Sequence, residues 1–310
     1  MRVAVTGAYG YSGQYMARRL LEQGHEVLSL TNSTQRSNPF GRKVKAQPFN
    51  FSNPALLEQT LRGVNILINN YWVRFDLPPL FTHANAVLHA KTLFEAAKRA
   101  GVTRIVHISI TNPDRNSDLP YFSGKAEMED HLRSTGLSHC ILRPTVLFGK
   151  EDILINNIAW CLRHLLIFGI FGDGRYRLQP IYVDDLAEAA VRKAHEQTNE
   201  TIDAIGPETF RYRDMVEMIA TAIGVRPSIV FLPPGVAYQM TRVVGWFVRD
   251  VVITREEIRG LMEERLYVNS SPLGTTKLSG WVHANSGRLG LSYTSELARR
   301  LDRFSQYRSN

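Results

Sequence analysis

A glycine-rich turn near the start of the chain constrains the fold more than any other feature. The apolar run Val3–Val5 ends at Thr6, and Gly7, Gly10 and Gly13 follow in the spacing G-x-x-G-x-x-G, with an amphipathic run after them. This order predicts a strand, a tight turn and a helix. Glycines let the backbone turn sharply and approach a pyrophosphate, whose phosphates face free N–H groups at the helix start. The segment therefore predicts a dinucleotide site, with an ordinary glycine turn as the alternative.

Strand and helix patterns alternate through the first half of the chain. The apolar run at residues 64–69 is of the kind that a parallel sheet buries on both faces. Helix patterns end at Gly101 and Gly136, and strand patterns follow at residues 104–108 and 140–142. The alternation predicts an α/β fold with a Rossmann-type, doubly wound parallel sheet.

The regular alternation stops after Gly149. An apolar helix is predicted over residues 153–168, whereas a later helix and strand return to the sheet. We therefore predict two domains, the second smaller, discontinuous and C-terminal, with a role in substrate or partner binding. The NAD(P)-binding Rossmann domain comprises residues 1–149 and 178–206, and the smaller domain comprises residues 150–177 and 207–310.

Composition narrows the class of protein. Of the 310 residues, 44% are hydrophobic and 21% are charged, which is ordinary for a globular protein. No apolar run reaches the length of about 18 residues that a spanning helix needs. Cys140 and Cys161 lack metal-ligand spacing and are interpreted as buried thiols in a reducing compartment. We therefore predict no metal site and a cytoplasmic protein, with peripheral contact at a membrane as the alternative.

The end of the second predicted strand bears on the choice of cofactor. An acidic residue there would bind the ribose 2′-hydroxyl of NAD. This chain instead has Thr31, Asn32, Ser33 and Arg36, with no acidic residue between positions 31 and 50. Hydroxyl groups and a guanidinium favour a 2′-phosphate, so we predict NADP, with NAD as the alternative.

The net charge of +8 is not accompanied by a nucleic-acid-reading module, so no nucleic-acid binding is expected.

Downstream motifs add to the glycine turn. Ser109 closes the strand HISI, Tyr121 and Lys125 form Y-x-x-x-K in YFSGK, and LRPTVLFG and IYVDDLA follow. Together with T-G-x-x-G-x-x-G they resemble the short-chain dehydrogenase/reductase superfamily, in its extended and atypical branches with the nucleotide-sugar epimerases. The segments NNYWVRF, ILINNIAW and RYRLQPIYVDDLA are similar to the atypical group that contains the 39 kDa accessory subunit of respiratory complex I.

The Y-x-x-x-K spacing has a chemical reason. Positions i and i+4 share a helix face, so the Lys125 ammonium can lower the phenol pKa of Tyr121 and hold the nicotinamide ribose. Tyr121 is then the general acid or base for a carbonyl or alcohol, and Ser109 hydrogen-bonds the same oxygen. The alternative is that Tyr121 packs in the fold and Lys125 is solvated.

The resemblance implies an NAD(P)-dependent oxidoreductase or epimerase that acts on a carbonyl or alcohol, including a nucleotide sugar. Two alternatives stay open: an NADPH-binding scaffold without turnover, like the complex I group, and a redox-sensing regulator. Asn69-Asn70-Tyr71 replaces the usual small-residue turn after the fourth strand. Tyr71 and Trp72 either shape a flat substrate pocket or fill an unused one. The resemblance also implies cofactor contacts from Tyr9, Tyr11, Asn50, Phe51, Asn70, Tyr71, Lys125 and Pro144.

Two apolar segments are candidate surfaces for contact outside the chain. The first, residues 158–171, either rests on a membrane or lines a substrate cleft, and the second is a candidate for a membrane or a partner protein. Trp246, Phe247 and the run at 251–253 are apolar and are flanked by Arg242 and Arg249. Buried core is the alternative. The other expected partners are the dinucleotide and a small-molecule substrate, and the sequence predicts no oligomeric state.

Overall fold

The structure is a computed structural model that describes residues 1–306. Residues 307–310, which the sequence assigns to the second domain, lie outside the described residues. The described chain forms two compact units. Unit 1 comprises Met1–Pro144, Val183–Ala204 and Arg303–Gln306, and unit 2 comprises Thr145–Tyr182 and Ile205–Asp302.

The strands are, in chain order, β1 (Arg2–Thr6), β2 (Glu26–Leu30), β3 (Val44–Gln47), β4 (Ile66–Asn69), β5 (Arg104–Ile108), β6 (Ser138–Pro144), β7 (Leu147–Phe148), β8 (Ile167–Phe171), β9 (Arg177–Leu178), β10 (Ile181–Tyr182), β11 (Glu200–Ala204), β12 (Phe210–Arg211) and β13 (Ser228–Leu232). The helices are α1 (Tyr11–Glu22), α2 (Pro54–Leu61), α3 (His83–Ala100), α4 (Pro120–Ser134), α5 (Leu154–His164), α6 (Val183–Ala194), α7 (Tyr212–Ala222), α8 (Pro234–Val248), α9 (Arg255–Met262), α10 (Leu278–Asn285) and α11 (Glu296–Leu301).

Unit 1 is built on a seven-stranded sheet in the order β11-β6-β5-β4-β1-β2-β3. Each pair of neighbouring strands is parallel. Every residue of β4 and β5 is buried, because helices cover both faces of the sheet: α1 packs with α6, and α3 packs with α2 and α4. The strand order reverses between β1 and β4, where doubly wound folds bind their ligands. The predicted Rossmann-type α/β fold is confirmed.

Unit 2 has its own core, in which α5 and α7 pack together with apolar residues from several loops and short strands. Its strands form three small sheets, β7 with β10, β9 with β12 and β8 with β13. Residues 145–149 and 178–182, which the sequence analysis assigns to the Rossmann domain, cluster in unit 2, where β7 pairs with β10.

One predicted helix is wrong at its end. The apolar segment 153–168 is helical only over Leu154–His164, and residues 167–171 form β8, because they pair with β13 in parallel register. Apolar runs fit a buried helix or a buried strand equally well when the partner strand is distant in sequence. No helix within residues 1–306 is long and apolar enough to cross a membrane.

Candidate functional site

The glycine turn forms a cradle at the carboxyl end of β1. Gly7 has a φ of 66°, in the left-handed region that favours glycine, and its N–H donates to the Leu30 carbonyl at 2.8 Å. A Cβ on Gly13 would overlap the Gly7 carbonyl oxygen and lie 2.7 Å from the carbonyl carbon, so only glycine lets α1 pack on the turn. Gly10 caps α1, and no side chain of the described residues accepts a hydrogen bond there. The N–H groups of the first turn are thus suited to an anion.

The two tyrosines of the turn have different environments. The Tyr9 hydroxyl donates to the Val44 carbonyl at 2.9 Å, and desolvation raises the pKa of the phenol. This side chain therefore joins the glycine turn to β3. Tyr11 is the first residue of α1 and packs edge-to-face with Tyr15, with ring centres 6.4 Å apart.

The turn after β2 holds the residues predicted to select the cofactor. The Thr31 hydroxyl accepts a hydrogen bond from the Ser33 N–H at 3.0 Å, and Asn32 between them is exposed. Arg36 is buried and donates from Nη1 to the Ser305 carbonyl at 2.6 Å. The C-terminal segment Arg303–Gln306 therefore lies against this turn, a contact that no local sequence pattern indicates.

An aromatic cluster follows β3. Phe51 stacks on His89 with ring centres 4.2 Å apart and on Phe49 with centres 4.7 Å apart. The Tyr71 hydroxyl hydrogen-bonds His89 Nδ1 at 2.9 Å, so residues after β3 and β4 meet in one cluster with α3. Asn50 precedes Phe51 with a φ of 50°. The structure thus brings together Asn50, Phe51 and Tyr71 of the predicted cofactor contacts.

Polar side chains link the carboxyl ends of the three central strands. The Thr6 hydroxyl donates to Asn69 Oδ1 at 3.2 Å and accepts from the Asn70 N–H at 2.6 Å. The Asn69 amide lies 3.1 Å from His107 Nδ1. Burial lowers the pKa of His107 well below its usual value, so the imidazole is neutral and Nδ1 accepts from the amide. The Asn70 side chain donates to Met16 Sδ at 3.2 Å and so fastens the loop after β4 to α1.

Lys125 is enclosed by the protein. Its Nζ donates to the Ile108 carbonyl at 2.8 Å and lies 4.7 Å from the centre of the Trp72 ring. Desolvation, opposed by the charge of Glu129, lowers the lysine pKa from 10.5 to about 7. Trp72 also meets the Tyr121 ring edge-on, with centres 5.5 Å apart. The indole therefore contacts both members of the Y-x-x-x-K pair.

Ser109 hydrogen-bonds a buried carboxylate. Its hydroxyl donates to Glu129 Oε1 at 2.6 Å, and its role at a substrate oxygen stays a prediction. Glu129 is buried and also accepts hydrogen bonds from Arg143 and Arg133. Desolvation opposes ionisation, but the hydrogen bonds from these three partners hold the pKa of the carboxyl below its usual value.

Glu129 and Arg143 were not predicted from the sequence. Glu129 lies one helical turn after Lys125 on α4, and Arg143 lies directly before Pro144 at the end of β6. The signal was available, because positions i and i+4 share a helix face. Pro144, a predicted cofactor contact, accepts at its carbonyl a hydrogen bond from the Thr111 N–H at 3.0 Å.

Known proteins are similar to this chain over most of its length. NADH-ubiquinone oxidoreductase 40 kDa subunit of Neurospora crassa is 24% identical over 262 residues, which cover 82% of this chain and 68% of that protein. NADH dehydrogenase [ubiquinone] 1 alpha subcomplex subunit 9 of Arabidopsis thaliana is 23% identical over 257 residues, which cover 80% and 64%. The aligned parts span about two thirds of the length of these relatives.

Solved structures show the same fold. Triphenylmethane reductase of Citrobacter sp., complexed with NADP(H), superposes with a TM-score of 0.75 at 16% identity, covering 92% of this chain and 100% of that chain. The sequence model of the NAD dependent epimerase/dehydratase family matches residues 3–205. The predicted superfamily and its nicotinamide dinucleotide cofactor agree with this match. The chain therefore belongs to the NAD dependent epimerase/dehydratase family.

Proposed function

We propose that this protein binds NADP(H) through the glycine turn and holds it without hydride transfer, as an accessory or scaffold protein. The observation that carries the proposal is the position of the Lys125 ammonium. It is buried, donates to the Ile108 carbonyl at 2.8 Å and lies over the Trp72 ring. The Lys125 amine, on which the acid–base chemistry of Tyr121 depends, is thus already bonded within the protein.

The electrostatics of Lys125 support a holding role. A lysine promotes proton transfer by Tyr121 when its positive charge stabilises the phenolate. Because desolvation lowers the pKa of Lys125 to about 7, much of the amine is uncharged near neutral pH. Ser109 gives its hydrogen to Glu129, so it does not serve as the donor to a substrate oxygen. Both helpers of Tyr121 are therefore occupied elsewhere.

The residues of unit 1 fit one end of the dinucleotide better than the other. The cradle of Gly7, Gly10 and Gly13 suits the pyrophosphate, since α1 begins there without a side-chain cap and its first N–H groups can face phosphates. When bound, the cofactor supplies a nicotinamide that can give or accept a hydride. We infer that Trp72 fills the space beside Lys125 that the nicotinamide ribose would need.

The proposed preference for NADP(H) over NAD(H) rests on the turn after β2. It has no carboxylate to hydrogen-bond a ribose 2′-hydroxyl, and Arg36 is its cation. A charge-assisted hydrogen bond contributes about 1.5–3 kcal/mol, which corresponds to about ten- to hundredfold discrimination. Arg36 donates to the Ser305 carbonyl in this structure. A bound 2′-phosphate would take the place of that carbonyl, so the guanidinium would exchange a neutral acceptor for an anion.

The names of the relatives support an accessory role. Two similar proteins are described as subunits of NADH-ubiquinone oxidoreductase and NADH dehydrogenase. We propose by analogy that this chain also acts within a larger assembly, with the dinucleotide as a structural ligand.

A catalytic function is the second candidate: oxidoreduction or epimerisation at a carbonyl or alcohol, including that of a nucleotide sugar. Tyr121 favours it, because this tyrosine lies at the start of α4, only half-buried, and its ring also contacts His83. If the Lys125 side chain rotated away from the Ile108 carbonyl, its amine could pair with Tyr121 as the Y-x-x-x-K motif predicts.

The test combines binding with turnover. Titration calorimetry and thermal unfolding measure NADPH binding, which should stabilise the fold by about 2.7 kcal/mol at a hundredfold excess over Kd. The same protein is then mixed with carbonyl and sugar-nucleotide substrates while nicotinamide absorbance and product stereochemistry are followed. We expect binding without turnover.

Three variants sharpen the outcome. Trp72→Ala opens the space beside Lys125, and Trp160→Ala removes another half-buried tryptophan, in unit 2, as the matched control. If the wild type turns over a substrate and Tyr121→Phe abolishes that turnover, the holding role is refuted and the catalytic candidate is established. Absence of dinucleotide binding would refute both.

A further inference from the structure

The outer face of α8 is apolar and uncovered. Its exposed positions recur every three or four residues, which places them along one side of the helix. Five of these positions are apolar: Val236, Met240, Val243, Trp246 and Phe247, which are 51%, 40%, 58%, 76% and 72% exposed, respectively. Surface helices of globular proteins normally turn polar residues to this side.

The helix is firmly held on its inner side. Ala237 is buried in a cluster with Phe171 and Ile258. Gly245 is also buried, and a Cβ on it would lie 2.6 Å from the Asp250 carbonyl oxygen. Ala237 therefore packs α8 against β8 and α9, whereas its other residues apart from Gly245 are partly or fully exposed.

The charged residues in the chain segment that contains α8 all have one sign. No acidic residue occurs between Glu217 and Asp250, whereas Arg226, Arg242 and Arg249 lie in this interval. Arg242 and Arg249 are exposed, and neither forms an ion pair with any residue in the part of the chain that the structure describes. Two unpaired guanidinium groups thus flank Trp246 and Phe247, and they favour an anionic partner.

We propose that α8 rests on the surface of an anionic lipid bilayer. Indole and phenyl rings prefer the interface between headgroups and acyl chains, and arginines beside them contact lipid phosphates. Trp246 and Phe247 would enter the interface with the helix axis in the membrane plane, and Arg242 and Arg249 would lie at the headgroups. This inference does not depend on the proposed dinucleotide function.

Vesicle flotation of the full chain tests the proposal. We expect binding to vesicles of phosphatidylcholine mixed with phosphatidylglycerol, and much weaker binding to phosphatidylcholine alone. Trp246→Ala combined with Phe247→Ala should lower the partition coefficient at least about tenfold. Arg242→Gln alone should lower it about fivefold.

The matched control combines Leu80→Ala with Leu88→Ala, which removes two leucines of unit 1 that are 60% and 61% exposed. This variant should bind like the wild type. Equal binding to neutral and anionic vesicles, or equal binding by the Trp246 and Phe247 variant, would overturn the proposal. Self-association of the wild type without vesicle binding would also overturn it and would assign the face to a second copy of the chain.

Discussion

Replacement of Lys125 by methionine should change how the stability of the protein depends on pH. Desolvation lowers the pKa of the buried Lys125 amine from 10.5 to about 7. Between these values the unfolded chain holds a proton on this lysine that the folded chain has released. The free energy of unfolding therefore rises with pH through this window, because the unfolded state binds more protons.

The size of the effect follows from the two pKa values. One proton of difference contributes about 1.4 kcal/mol per pH unit, so the wild type should gain about 2.5 kcal/mol between about pH 7.5 and about pH 9.5 from this group. Lys125→Met lacks the titrating group and should lose this gain. Methionine fills similar space without a charge to desolvate, so the variant should be at least as stable as the wild type near neutral pH.

Urea unfolding followed by circular dichroism at several pH values measures the effect. The control is Lys98→Met, which removes an exposed lysine of α3 and should keep the slope of the wild type. If the wild type and Lys125→Met show parallel profiles from about pH 7.5 to about pH 9.5, Lys125 has an ordinary pKa, and the argument from its burial is refuted.

Three further predictions concern unit 1. Gly10→Val should abolish dinucleotide binding while the fold persists, because a side chain at this position would keep the pyrophosphate away from the backbone of the turn; calorimetry on the folded variant checks this. Glu129→Gln should destabilise the fold by about 3–5 kcal/mol at neutral pH by leaving Arg143 with a neutral partner. Because the pKa of Glu129 is lowered, the wild-type advantage should be lost as pH falls through that pKa in acid unfolding. Arg36→Met should weaken NADPH binding about ten- to hundredfold and leave NADH affinity unchanged in parallel titrations.

Local patterns were sufficient to predict most of the Rossmann unit. Strands β4 and β5 occur where apolar runs predict them, because each is defined within its own segment. The glycine turn is equally local. The strand β8 was missed because its partner β13 lies about sixty residues further along the chain, and pairing at that distance leaves no local pattern.

The environment of the candidate acid–base pair could not be predicted in the same way. The contact between Trp72 and Lys125 forms where the loop after β4 meets α4, and the hydrogen bond between Ser109 and Glu129 depends on the rotation of α4 over β5. Motif spacing specifies which residues share a helix face, but it carries no information on what covers that face.

The central claim is that the protein holds the dinucleotide by its adenosine and pyrophosphate parts, with Trp72 beside Lys125 in place of the nicotinamide ribose. Calorimetric titration with NADPH and with 2′-phospho-ADP-ribose, which lacks nicotinamide, tests it most directly. The account predicts dissociation constants within about threefold of each other, since the nicotinamide adds little binding energy. NADPH that binds about a hundredfold more tightly than 2′-phospho-ADP-ribose would show that the nicotinamide is bound specifically and would contradict the account.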